Sequence, residues 1–105
     1  MTPVRIIFCT IDNKNTAQDL ARKLVQNRLA ACVNIIENMV SIYKWKDEIE
    51  EDVEVLMVIK TRKDRLQELI AYVSQFHPYD VPEILSCSVD QGNASYLDWV
   101  VAETK

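Results

Sequence analysis

"AACVNIIENMVSIYKWKDEIEEDVEVLMVIKT", residues 30–61, decides the fold. Two apolar segments rich in β-branched residues, 30–43 and 52–61, flank the charged run "KWKDEIEE" at 44–51. That pattern predicts a β-hairpin with a charged turn and Trp45 near its tip. Strands of this length, at about 3.3 Å per residue, overreach the shorter strands predicted at 3–11 and 83–89. Leu56 and Val58 are apolar where simple alternation would place polar groups. An overlong apolar hairpin on a small sheet needs a cover, and the expected cover is another copy of the chain.

Upstream, "PVRIIFCTI" at 3–11 is apolar on both alternating faces, as in a central strand. Asp12 to Asn15 supply turn and N-cap groups. Ala17, Leu20, Ala21, Leu24 and Val25 then follow helical spacing, so a helix runs to about Arg28. Downstream, Thr61 is the expected cap of a second helix, with Asp64 three residues on. Leu66, Leu69, Ile70, Val73 and Phe76 form its predicted buried stripe, and Pro78 ends it. "EILSCSV" at 83–89 reads as a fourth strand, and Ala94 to Ala102 as a short terminal helix presenting Tyr96, Leu97, Val100 and Val101. The order β-α-β-β-α-β-α is two split β-α-β units. It predicts an α+β, ferredoxin-like domain with an antiparallel sheet, strands one and three central, and helices on one face. No linker or low-complexity stretch interrupts residues 1–105, so one domain is expected.

Composition narrows the function. A formal net charge of −4, with no basic stretch standing out, argues against a nucleic-acid partner. Gly92 is the only glycine, where an average chain of this length has about seven. The Gly-rich phosphate loops of nucleotide enzymes are thereby excluded, and turns must use Asn and Asp. "MTPVRIIFCT" does not read as a signal peptide, and no run of eighteen apolar residues predicts a membrane span. Three cysteines, an odd number, read as thiols of a reducing compartment, with a cytoplasmic location expected.

"QFHPYDVPE" at 75–83 holds the only histidine and two of the three prolines. The topology brings the end of strand one (Cys9), the end of helix two (His77), the start of strand four (Glu83) and the hairpin tip (Trp45) to one end of the domain. Cys87 lies further down strand four, and Cys32 begins strand two at the opposite end. A strand cysteine reads first as a small buried hydrophobe, for all three, and His77 reads equally as a cap on its helix dipole. The sharper reading is a metal site, because thiolate with imidazole favours copper or zinc over calcium or magnesium. No CxxC or HxxxH spacing is present, which excludes a closed structural zinc site and leaves an open, incomplete ligand set. A Cys–His hydrolase lacks an orienting third group and an oxyanion donor set, so no enzyme is expected. An indole among charges at a hairpin tip, Trp45, reads as a contact residue for a partner or ligand.

"FCT" at 8–10, "LAACVN" at 29–34, "SIYKWKDEIEED" at 41–52, "VIKT" at 58–61, "HPYDVPEIL" at 77–85 and "YLDW" at 96–99 together resemble the CutA1 family along essentially the whole chain. The resemblance implies a homotrimer similar in architecture to PII signalling proteins, with the hairpins extending onto neighbouring subunits. It also implies divalent-cation tolerance and copper(II) binding, assigned in bacterial members to the cysteine matching Cys9 and to two adjacent histidines. His77 matches the second of these, and Phe76 stands at the first. Phenylalanine cannot ligate a metal, so a copper site here is expected to be weak. The PII likeness implies an alternative, a sensor binding a small anionic or polar ligand in a cleft between subunits. Lys60, Trp45 and Tyr79 would contribute charge, stacking and a hydroxyl, with Glu83 held nearby.

Overall fold

A computed structural model describes residues 1–105. The elements are β1 (Val4–Ile11), α1 (Lys14–Gln26), β2 (Cys32–Trp45), β3 (Glu48–Arg62), α2 (Leu66–Phe76), β4 (Ile84–Ser88) and α3 (Ala94–Glu103), with a 3-10 turn at Lys63–Arg65 before α2. The four strands form one antiparallel sheet in the order β2-β3-β1-β4, with β1 and β3 central as expected. Side chains alternate across a strand. Ile7, Cys9 and Ile11 of β1 and Val55, Met57 and Ile59 of β3 therefore share one face, where they meet Ala17, Leu20, Ala21 and Leu24 of α1 and Leu69 and Val73 of α2. That face is the core.

Local chemistry explains the helix limits. Asn13 caps α1, its Oδ1 accepting from the Thr16 N–H at 2.9 Å. The helix closes through Leu29 N–H to Leu24 O at 2.9 Å, and Arg28 takes a left-handed φ of 59°. Glycine usually fills that position, and this chain uses it nowhere left-handed: Arg28, Asn38, Lys46 and Asp47 hold the positive-φ positions instead. The Arg28 guanidinium then reaches the end of α3, donating to Ala102 O and Lys105 O, both at 3.1 Å.

Four expectations need correction. The run 44–51 is almost all strand: β2 continues to Trp45, β3 begins at Glu48, and only Lys46 and Asp47 make the turn. Ladder bonds along the pair outweigh the weak β-propensity of glutamate. Thr61 does not cap α2. It is fully buried in β3, its hydroxyl donates to Leu29 O at 2.7 Å, and α2 starts without a side-chain cap. Phe76 and Val25 leave their predicted stripes, each more than two-fifths exposed, because they sit at the rims of their helices. Lastly, only α1 and α2 cover the core face. α3 lies across the base of the other face, where Val100 packs with Val4 and Ala31.

The hairpin projects beyond the rest. β1 ends against Val55, so the pairs from Met39–Glu54 to Trp45–Glu48 have no third strand. Seven such pairs, at about 3.3 Å each, overhang by roughly 20 Å, and the molecule measures 44 Å in its long dimension against 26 and 23 Å in the others. A bulge between Ile36 and Met39, with Asn38 at φ 61°, resets the alternation of β2. Beyond it, Val40, Ile42, Ile49 and Val53 occupy one side of the ribbon and stay 59 to 76% exposed.

The turn itself is testable. Lys46 and Asp47 have φ of 50° and 67°, the signs of a type I′ turn, which prefers Asn-Gly. The double change Lys46→Asn, Asp47→Gly is expected to raise stability by about 1 kcal/mol. Urea unfolding at fixed protein concentration checks this, and an unchanged or lower midpoint would refute the assigned turn.

Candidate functional site

The end of the sheet reached by β1, α2 and the hairpin gathers most of the predicted site residues. His77 follows the last turn of α2, its backbone N–H donating to Val73 O at 2.8 Å. Its backbone is extended, at φ −75° and ψ 137°, as the following proline requires. The imidazole is 8% exposed and both nitrogens are engaged. Nε2 lies 2.7 Å from the Thr10 carbonyl oxygen, and Nδ1 accepts from the Tyr79 N–H at 3.1 Å. An acceptor facing Nε2 and a donor facing Nδ1 assign the neutral ring with its proton on Nε2. The Tyr79 ring packs edge-on against it at 4.8 Å, and the Tyr79 hydroxyl donates to Glu54 Oε2 at 2.8 Å. Thr10, His77, Tyr79 and Glu54 thus stitch the segment after α2 to both central strands.

Cys9 lies one residue away but on the core face, fully buried. Its thiol points at the Thr10 carbonyl at 3.8 Å, a weak sulfur hydrogen bond. Burial, and then the Glu83 carboxylate, push its pKa up to about 12, so it stays a thiol at neutral pH. Nowhere in the subunit do three or more His, Cys, Asp or Glu side chains converge as a metal site. Phe76 packs at a tilt against Tyr72, ring centroids 4.8 Å apart, under the Lys23 ammonium at 4.9 Å. That is a surface packing role.

Trp45, Tyr79 and Glu83 line one cleft of about 680 Å³ between the overhanging hairpin and residues 79–83. Lys60 does not join them. It sits towards the opposite end of β3, paired with Cys32 and Ile6, where its ammonium lies 3.7 Å from Cys32 Sγ and donates to Asn34 Oδ1. Cys32 is half-buried beside Tyr96, and Cys87 is exposed on edge strand β4, so only Cys9 is the buried hydrophobe expected of all three.

The cleft contains what sequence reasoning missed: Tyr43, Asp52 and Glu54 from the hairpin, and Asp80 from the facing segment. The signal is the period of two along the hairpin strands, since Tyr43, Trp45, Asp52 and Glu54 share one side of the ribbon. The Tyr43 hydroxyl donates to Asp52 Oδ2 at 2.5 Å, a diagonal cross-strand pair. That bond, with adjacent carboxylates, pushes the Tyr43 pKa up to about 12. Burial first, and then Glu54, push Tyr79 upward as well.

Comparison with known proteins gives a consistent result. A family model described as "CutA1 divalent ion tolerance protein" matches residues 5–103. The chain is 50% identical over 93 residues to the "Protein CutA homolog" of Xenopus laevis, covering 89% of this chain and 62% of that one. It is 40% identical over 99 residues to the "Divalent-cation tolerance protein CutA" of Thermus thermophilus, covering 94% and 96%. A crystal structure of CutA from Xylella fastidiosa superimposes with a TM-score of 0.97 at 36% identity, covering 99% of this chain and all of that one. The chain spans little more than half the length of the mammalian relatives it matches.

Alkaline titration tests the electrostatics of the cleft. Tyr43 is expected to ionise near pH 12 instead of near 10, followed at 295 nm and assigned by loss of that step in Tyr43→Phe. The unfolded chain loses this proton first, so stability is full below about pH 10 and falls as pH rises towards 12. Ionisation of Tyr43 at pH 10 would mean the Asp52 bond does not form in solution.

Proposed function

Because this chain belongs to the CutA1 divalent ion tolerance family, we propose that it serves divalent-cation tolerance as a homotrimer whose subunits cover one another's hairpins. The observation that carries the assembly is the apolar stripe of Val40, Ile42, Ile49 and Val53 on the overhang. Exposing it in every free subunit is unfavourable by about 25 cal/mol per Å² of apolar surface, and a neighbouring copy would remove it from water. The number three comes from the family resemblance. Three free thiols support a reducing compartment, the cytoplasm.

Copper(II) at Cys9 and His77 is the metal site the resemblance implies. In the folded subunit these groups do not fit a resident copper ion. Both imidazole nitrogens are spent on backbone partners, and the thiol holds its proton inside the core. Cys9 and His77 are accordingly proposed as structural groups, with tolerance exerted by the assembled trimer. No catalytic role is proposed either. A thiol held up to about 12 is a poor nucleophile, and His77 Nε2 faces a carbonyl in place of the sulfur.

The cleft favours a second function, a PII-like sensor of a small ligand. Trp45, Tyr79 and Glu83 meet there within one subunit, and its volume of about 680 Å³ lies in the range of small-molecule sites.

Two measurements test these proposals. Light scattering is expected to give three chains per particle, and Val40→Lys with Val53→Lys to dissociate it; an assembly indifferent to both would remove the hairpin from the interface. Copper titration of reduced protein against a chelator, with free-thiol counts, is expected to give the same affinity for wild type, Cys9→Ser and His77→Ala. His77→Ala should instead lose about 2 kcal/mol of stability, since it strands two backbone groups. Tight binding abolished by either substitution would restore the copper assignment.

A further inference from the structure

We propose that the open edge of β2 in one copy pairs with the open edge of β4 in the next, and that a peroxide closes this seam with a disulfide between Cys32 and Cys87. The inference rests on the assembly proposed above and adds which strands meet in it. β2 pairs only with β3, and β4 only with β1, so each leaves one row of backbone N–H and C=O groups unpaired. Edge strands are ordinarily guarded by charge, proline or a bulge. Neither Cys32–Ile36, the part of β2 below its bulge, nor Ile84–Ser88 of β4 holds a charged residue or a proline. The two segments also match in length.

Direction and register fit them together. Every neighbouring pair in the sheet is antiparallel, so β2 and β4 run in opposite senses and pair antiparallel when set side by side. Cys32 lies opposite Lys60, Lys60 opposite Ile6, and Ile6 opposite Cys87. The two cysteines are therefore the ends of one row across all four strands, and residues directly opposite share a face. It is the face that α3 crosses: Lys60 Nζ and Tyr96 Oη lie 3.7 and 3.9 Å from the Cys32 sulfur. Carrying the row into the next copy sets Cys32 against Cys87 and Asn34 against Leu85. Ile36 and Leu85, 51 and 57% exposed at the two edges, then become diagonal neighbours and cover one another. Because the two edges differ, the contact is heterologous, and a closed ring of copies leaves neither edge open.

Within one subunit the two thiols cannot meet. Three strand spacings of about 4.8 Å hold their Cα atoms about 14 Å apart, roughly twice the reach of a disulfide. Across the seam, directly opposite Cα atoms stand about 4.5 to 5.5 Å apart, inside that reach. Cys87 is exposed and Cys32 half-buried. The Cys87 sulfur attacks hydrogen peroxide, the O–O bond breaks, and a sulfenic acid and one water result. The Cys32 sulfur then attacks the sulfenic sulfur, the S–O bond breaks, and a second water leaves. Two thiols and one peroxide thus give one disulfide and two waters, the sulfurs oxidised and the peroxide oxygens reduced. Cys9, buried on the opposite face, takes no part.

The assembled full chain is treated with hydrogen peroxide, its remaining thiols are capped with N-ethylmaleimide, and it is run on denaturing gels without reductant. Bands of two and three linked chains are expected at any protein concentration, collapsing to one chain with dithiothreitol. Cys32→Ser and Cys87→Ser should each abolish them, while Cys9→Ala leaves them. Refolded together, the two serine variants should regain a two-chain band alone, since one bridge joins the remaining Cys32 of one copy to the remaining Cys87 of the other. Bands that survive either serine substitution would overturn the pairing of Cys32 with Cys87. Light scattering on the same samples separates the other failures. Three chains per particle without linkage would overturn this proposal and keep the assembly, whereas single chains would overturn both.

Discussion

Everything in this fold hangs on the ladder along β3. Its lower half is clamped between β1 and β2, and there it shows a strict alternation of buried and half-buried residues from Val55 to Thr61. Its upper half keeps only β2, and the alternation gives way to exposure. One strand therefore serves two environments, and the change comes where β1 stops, at Ile11 against Val55. Below that level apolar burial against α1 and α2 stabilises the pairing. Above it a two-stranded ribbon stands alone, an arrangement that is marginal in water without further cover.

The lone histidine works at that same level. By tying the Thr10 carbonyl to the Tyr79 N–H, it fixes the return of the chain from α2 towards β4. Pro78 and Pro82 lower the number of conformations this segment samples when unfolded, so holding it in place costs less entropy. With Tyr79 anchored on Glu54, the segment becomes a firm wall beside the ribbon. A residue type that suggests metal chemistry from sequence is, in three dimensions, a clasp between backbone groups.

Element order and sheet topology were legible in the sequence because two periodicities, near 3.6 and 2, alternate cleanly and admit one antiparallel arrangement. What failed did so for local reasons. The glutamates of 44–51 look like a turn, but strand pairing in a long ribbon does not require apolar side chains on both sides. Thr61 carries a capping side chain, yet a buried backbone carbonyl at Leu29 claimed it first. Lys60 has the chemistry of a cleft residue, but its distance from the hairpin turn sets its level along β3 at the opposite end, beside Cys32. The convergence of Cys9, His77, Glu83 and Trp45 at one end followed from topology alone. Their usefulness as ligands depends on which way each side chain faces and on which partners it already has. No spacing rule conveys that.

The bulge at Glu37–Asn38 gives the ribbon two unlike sides. One side carries Tyr43, Trp45, Asp52 and Glu54; the other carries Val40, Ile49 and Val53. Between them lies a single layer of backbone. Ile42 alternates onto the apolar side with Val40 and also borders the cleft. A twist of the ribbon by a few degrees would move both sides in opposite senses, as a blade does. The thinness of this one piece of the molecule makes the wet side and the oily side mechanically inseparable.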